Sequence, residues 1–130
     1  MIVVDASAMI ELLLRKQAAS PIETRLLGAG ASLHAPHLLD LEVAQVLRRF
    51  RASRELSVTR AAEALEDYLD LPIRRHSHEI LLPRIWQLRG RVTAYDASYL
   101  ALAESLEAPL VTCDRGMARV SGCTADVVVV

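Results

Sequence analysis

Lysine is almost missing from this 130-residue chain. Of its 15 basic residues, Lys16 is the one lysine, and aromatic residues make up only 4%. A lysine that grips phosphate or forms a Schiff base would therefore have to be Lys16, in a stretch that reads as a loop. Cysteine is limited to Cys113 and Cys123, which form no CxxC pair. Cys113 adjoins a predicted strand and reads as a small buried hydrophobe, and a disulfide between the two is not expected in a cytoplasmic chain. Long apolar runs are absent as well. None approaches the length of a membrane span, because Glu11, Arg15 and Lys16 break up the N-terminal stretch. The opening lacks the basic start of a signal peptide, so a soluble cytoplasmic protein is expected. Finally, charge of one sign is lacking. The net charge of −1 gives no general pull toward nucleic acid or anionic membranes, so any such binding must come from a local patch.

What is present is aliphatic. Hydrophobic residues make up 52% of the chain, enough for one compact domain spanning 1–130. Ile2-Val3-Val4 is apolar without alternation, as expected for a strand buried on both faces at the centre of a parallel sheet. Asp5 follows at its C-terminal end, where open α/β sheets bind ligands. Beyond it, a helix is expected over 7–14, capped by Asp5 or Ser7, and a second with Pro21 in its first turn, ending near Gly28 and Gly30. A strand over 32–35 precedes a helix over 37–51, on which Leu39, Val43, Val46, Leu47 and Phe50 form a core-facing stripe. Ser57 caps a helix through Leu69, with Ala61, Ala62, Leu65 and Leu69 inward. Residues 71–73 suggest a third strand. Ser77 caps a helix to Arg89, stopped by Gly90, with Pro83 early enough that no kink is required. A helix over 93–107, a strand over 109–112, a short helix or turn over 115–120 and a last strand over 126–130 complete the chain. The alternation predicts an α/β protein: a three-layer α/β/α sandwich with a central parallel sheet.

Four acids do not fit these surroundings. Glu42 falls within the apolar arc of Leu38, Leu39 and Val46, where a lone carboxylate costs several kcal/mol unless paired, protonated or metal-bound. Asp96 lies between Leu100, Ala103 and Tyr99, although Thr93-Ala94-Tyr95-Asp96 also fits a helix-capping box. Asp5 and Asp114 both end buried strands, and each is also placed to cap the turn that follows. Thr112 points the same way as Asp114 and is placed to support the same site. In a parallel sheet those strand ends share one edge. Converging carboxylates repel and raise one another's pKa, a conflict that a divalent cation resolves, and an oxygen-only ligand set favours Mg²⁺ or Mn²⁺ over zinc. Such an ion activates water and stabilises the leaving oxygen of a phosphodiester.

The ordered stretches Val4-Asp5-Ala6-Ser7-Ala8, Leu41-Glu42-Val43, Thr93 through Ala103 and Leu110-Val111-Thr112-Cys113-Asp114-Arg115 resemble PIN-domain ribonucleases of the VapC toxin type. The resemblance implies that Asp5, Glu42, Asp96 and Asp114 are the catalytic acids and coordinate Mg²⁺ or Mn²⁺, with Ser7 and Thr112 in supporting roles. It implies a metal-dependent endoribonuclease toxin acting on tRNA or ribosomal RNA, neutralised by a VapB-type antitoxin, and a homodimer. Ser98 and Tyr99 stand where many relatives carry a further acid. Arg89, Arg91, Arg115 and Arg119 are candidates for RNA phosphate contacts. The Arg48–Arg54 cluster reads instead as a solvated helix end or a partner surface.

Other readings fit less well. His34, His37, His76 and His78 lack zinc-ligand spacing. Gly28-Ala29-Gly30 follows no strand and is no dinucleotide fingerprint. A phosphoacceptor receiver domain wants a lysine after its fifth strand, and none stands there. A phosphatase with an aspartate nucleophile wants an acid where Ser7 is. A catalytically inactive binding module of the same fold is the alternative, and the presence of all four acids argues against it.

Overall fold

The computed structural model describes residues 1–130. Five parallel strands form one sheet: β1 (Ile2–Val4), β2 (Leu33–Pro36), β3 (Ile73–His76), β4 (Leu110–Thr112) and β5 (Val127–Val129), in the order β3-β2-β1-β4-β5. The six helices are α1 (Ala6–Leu13), α2 (Ala19–Leu26), α3 (Leu38–Ala52), α4 (Val58–Asp70), α5 (Leu82–Gln87) and α6 (Ala94–Leu106). The chain winds outward from β1 through β2 to β3, then crosses back to place β4 on the other side of β1. Right-handed crossovers then put α1 to α4 on one face and α5 with α6 on the other. The helices pack accordingly, α1 with α2, α3 and α4, and α5 against α6. This is the expected three-layer α/β/α sandwich. No helix is long and apolar enough to cross a membrane.

The winding reverses between β1 and β4. Their register, Val3 beside Leu110 and Val4 beside Val111, brings the residues after both strands to one crevice. The β-branched run of β1 sits there because it is covered on both faces, with Val3 and Val4 fully buried. Against it lies α6, whose residues from Ala97 to Ala103 are all buried. A helix apolar all round belongs inside, and its alanines let the sheet approach closely. Whatever projects from its first turn is held by that packing.

Three local expectations are corrected. The third strand lies at Ile73–His76, not 71–73. It is an edge strand, paired only with β2, so Arg74 and Arg75 are tolerated there, and Pro72 precedes it. The helix expected from Ser77 to Arg89 is broken into a 3₁₀ turn, Glu79–Leu81, followed by α5, because Pro83 falls in the first turn of α5 and starts a new helix. On α4 the inward residues are Ala64 and Tyr68, while Leu65 and Leu69 face outward. Tyr68 is 2% exposed and ties this face to neighbouring elements. Its hydroxyl donates to Asp40 Oδ1 at 2.5 Å, and the Arg75 guanidinium lies over its ring at 5.6 Å.

Candidate active site

Asp5 caps α1. Its Oδ1 accepts from the Ala8 amide at 3.0 Å and from Ser7 Oγ at 2.7 Å, and its Oδ2 accepts from Thr112 Oγ1 at 2.5 Å. Both hydroxyls are themselves held by the loop after β4. Ser7 Oγ accepts from the Cys113 amide at 2.9 Å, and Thr112 Oγ1 accepts from the Asp114 amide at 3.0 Å. Each hydroxyl thus commits its one proton to Asp5 and receives a backbone proton in return. Every donor aimed at Asp5 suits the ionised carboxylate. Burial nevertheless pushes its pKa up, with the Asp114 charge adding to it.

Glu42 projects from α3 across to α6. Tyr99 meets it there, donating its hydroxyl to Oε1 at 2.6 Å. Burial raises the Glu42 pKa, and the charges of Asp96 and Asp5 add to the rise against the Tyr99 bond. Asp96 is half-buried in the first turn of α6. The Thr93 hydroxyl accepts from the Asp96 amide at 3.2 Å, but the Asp96 carboxylate makes no bond back to Thr93. Only half of the expected capping box forms, and the carboxylate is left free. Burial, then Asp114, then Asp5 raise its pKa. Asp114 is exposed and caps the next turn, its Oδ1 accepting from the Gly116 amide at 2.8 Å.

The four acids therefore act on one another at the crevice where the winding reverses, and no cation balances them. The molecule's three ion pairs are Arg60–Glu63, Arg75–Asp40 and Arg84–Glu104. Asp40, on the same helix as Glu42, is fully accounted for by the Tyr68 hydroxyl and by Arg75, whose Nε–H is shared between both carboxylate oxygens at 2.9 Å. Glu42 has only the neutral Tyr99. No three His, Cys, Asp or Glu side chains close into a finished metal cage. The donor set is all oxygen, as hard divalent cations require, and Mg²⁺ takes only one or two carboxylates directly while keeping several waters.

The sequence matches the PIN domain family over residues 2–122. The chain belongs to the PIN-domain family. Among its relatives is a VapC ribonuclease of Mycobacterium bovis, 43% identical over 114 residues, which are 88% of this chain and 86% of the relative. The fold is similar to a protein from Pyrobaculum aerophilum, PAE2754, with a TM-score of 0.69 and 25% identity over 97% of this chain and 81% of that one. It is also similar to VapBC2 from Rickettsia felis, solved bound to a DNA fragment from their promoter, with a TM-score of 0.69 and 12% identity over 98% of both chains. This PIN-domain chain is of the VapC type.

Of the residues expected from sequence, the structure brings Asp5, Ser7, Thr112 and Asp114 into one hydrogen-bonded unit, with Glu42 and Asp96 facing it. The arginines are more scattered. Arg115 and Arg119 are exposed in the turn that follows Asp114. Arg89 lies over the Trp86 ring at 4.5 Å and donates to the Trp86 carbonyl at 2.8 Å, while Arg91 lies against Gly122. Tyr99 was missed as a positioning residue. Its signal was a tyrosine on a buried helix stripe, where the hydroxyl needs a partner. Of the histidines, His34 and His76 share a hydrogen bond, Nδ1 to Nε2 at 2.9 Å, while His78 Nε2 accepts from the Leu38 amide at 3.0 Å. Both cysteines are free thiols.

Proposed function

We propose that this PIN-domain chain is a metal-dependent endoribonuclease toxin. The single observation that carries this reading is the group of four mutually acting carboxylates, unbalanced by any cation, where the sheet's winding reverses. Asp5, Glu42, Asp96 and Asp114 would hold Mg²⁺ or Mn²⁺, which when bound supplies positive charge to the phosphodiester and activates water. The chain's own residues do the positioning. Ser7, Thr112 and the Ala8 amide hold Asp5 fixed and favour its ionised form against the effect of burial, and Tyr99 holds Glu42 toward the crevice. Arg115 and Arg119 lie beside Asp114, where they are placed to take backbone phosphates of the RNA, with Arg89 and Arg91 extending the same role. Attack by water in line leaves a 5′-phosphate and a 3′-hydroxyl. A cyclic phosphate end would mean attack by the RNA 2′-hydroxyl and would overturn this mechanism.

The family resemblance and the VapC relative support cellular RNA, tRNA or ribosomal RNA, as substrate. They also support a VapB-type antitoxin as partner, a homodimer, and action in the cytoplasm. The test is induced expression in bacteria of the wild type beside Asp5→Asn, with total RNA on a gel. Growth arrest with discrete RNA fragments for the wild type alone is expected. Arrest by both proteins would instead indicate the inactive binding module.

A further inference from the structure

A cavity of about 350 Å³ opens beside Glu42, between α3 and the start of α6. From α3 it is lined by Leu38, Leu41, Gln45 and Arg49, with Glu42 among them, and Tyr95 from α6 closes the other side. The α3 residues recur at helical spacing, so one face of the helix lines the cavity lengthwise. Glu42, a candidate catalytic acid, stands one turn in from Leu38, and Arg49, which is exposed and takes part in none of the ion pairs, stands at the far end. Leu41 is 72% exposed and Tyr95 is 64% exposed. Apolar groups that line a cavity together and stay open to water mark a surface suited to binding a ligand.

We infer that this cavity seats the nucleobase flanking the scissile phosphate. This rests on the nuclease reading. Glu42 is both a wall of the cavity and a member of the acid group, so a phosphodiester held at the acids places its neighbouring nucleotide here. The lining matches the chemistry of a base: an exposed tyrosine ring for stacking, leucines against the sugar and the base face, and an amide able to donate and accept along a base edge. Arg49 lies where the next phosphate would run, and its charge is the local attraction that a chain of net charge −1 must supply at specific points. Tyr95 is thus a stacking residue, Gln45 a specificity-determining residue, and Arg49 a phosphate contact.

The experiment uses the full chain in the Asp5→Asn background, which removes cleavage from the readout. Binding of a labelled random-sequence single-stranded RNA pool is measured by fluorescence anisotropy, with and without Tyr95→Ala. Tyr95→Ala is expected to weaken binding about ten- to hundredfold, and Tyr95→Phe to restore it. Replacing the pool with an RNA of abasic ribose units should weaken binding to the Tyr95 protein and leave the Tyr95→Ala protein almost unaffected. Gln45→Ala, placed in the otherwise wild-type chain, should relax the base preference at one position next to the cut. Equal RNA binding by the Tyr95 and Tyr95→Ala proteins would overturn the inference. So would unchanged RNA binding with a lower oligomeric state in sedimentation, which would give the cavity to a second copy of the chain. Failure of the nuclease reading shows separately, as RNA that is bound by the wild type with Mn²⁺ but not cut.

Discussion

Replacing Glu42 with glutamine separates the cost of the acid from its use. The glutamine side chain keeps an oxygen in place of Oε1, so the Tyr99 hydrogen bond at 2.6 Å survives the change. What disappears is a half-buried charge that faces Asp96 and Asp5. Relief of desolvation and like-charge repulsion in a half-wet site favours glutamine by about 2 kcal/mol. Loss of the charged acceptor for Tyr99 offsets about 1 kcal/mol of that. The net is about 1 kcal/mol, or about 4 °C in Tm for a chain of this size. In EDTA at pH 7, Glu42→Gln should therefore melt above the wild type. The sign follows from the raised pKa of Glu42. The penalty is full above the folded pKa and vanishes as pH falls to the ordinary carboxylate value, so the two melting curves should converge toward pH 4.5. Adding Mn²⁺ at a hundred times the wild-type Kd stabilises the wild type by about 2.7 kcal/mol. The variant, with one ligand fewer, should gain much less, and the order of Tm should reverse. RNA cleavage by the variant should fall by at least about a hundredfold. Thermal scans in EDTA and Mn²⁺, with a cleavage assay on the same samples, check all three. A variant that cleaves at the wild-type rate, or that melts several degrees lower in EDTA, would refute the reasoning.

Other perturbations probe the supports. Tyr99→Phe should lower cleavage about tenfold and move the acidic limb of its pH profile upward, because Glu42 loses the donor that holds its pKa down; a pH–rate profile measures this. Thr112→Val keeps the shape but removes a donor to buried Asp5 and the acceptor of the Asp114 amide, so it should cost about 2 kcal/mol in urea unfolding and reduce Mn²⁺ affinity. Glu104 binds Arg84 at 2.7 and 3.0 Å and the Thr124 amide at 2.8 Å, which pulls its pKa down to about 2. Its contribution is present above pH 4.5 and is lost as pH falls toward 2. Glu104→Gln should therefore cost about 2 kcal/mol at neutral pH and almost nothing near pH 2, by denaturant titration at both.

Two kinds of information were legible at different depths. The apolar run of β1, the stripe of α3 and the caps at Ser57 and Thr93 are local signals, and the helices and strands followed them closely. The misreadings came where long-range contacts outweigh local pattern. Leu65 and Leu69 look like a core face until Tyr68 finds Asp40 and Arg75 on other elements. The strand at 73–76 looks too charged until it is known to be an edge.

The candidate site divides the same way. Sequence alone picked out Asp5, Glu42, Asp96 and Asp114, because a carboxylate on an apolar stripe or at the end of a buried strand conflicts with its own surroundings. It also set the all-oxygen chemistry those acids imply. Only the tertiary structure decided that Asp40, two residues from Glu42, is neutralised by Arg75 while Glu42 is met by Tyr99. It alone decided that Ser7 and Thr112 both turn their protons to Asp5, and that Leu41, Gln45 and Arg49 share a cavity with Tyr95. Partners 35, 57 and 107 residues apart leave no periodic trace in a sequence, because they are chosen by the winding of the sheet and not by the chain between them.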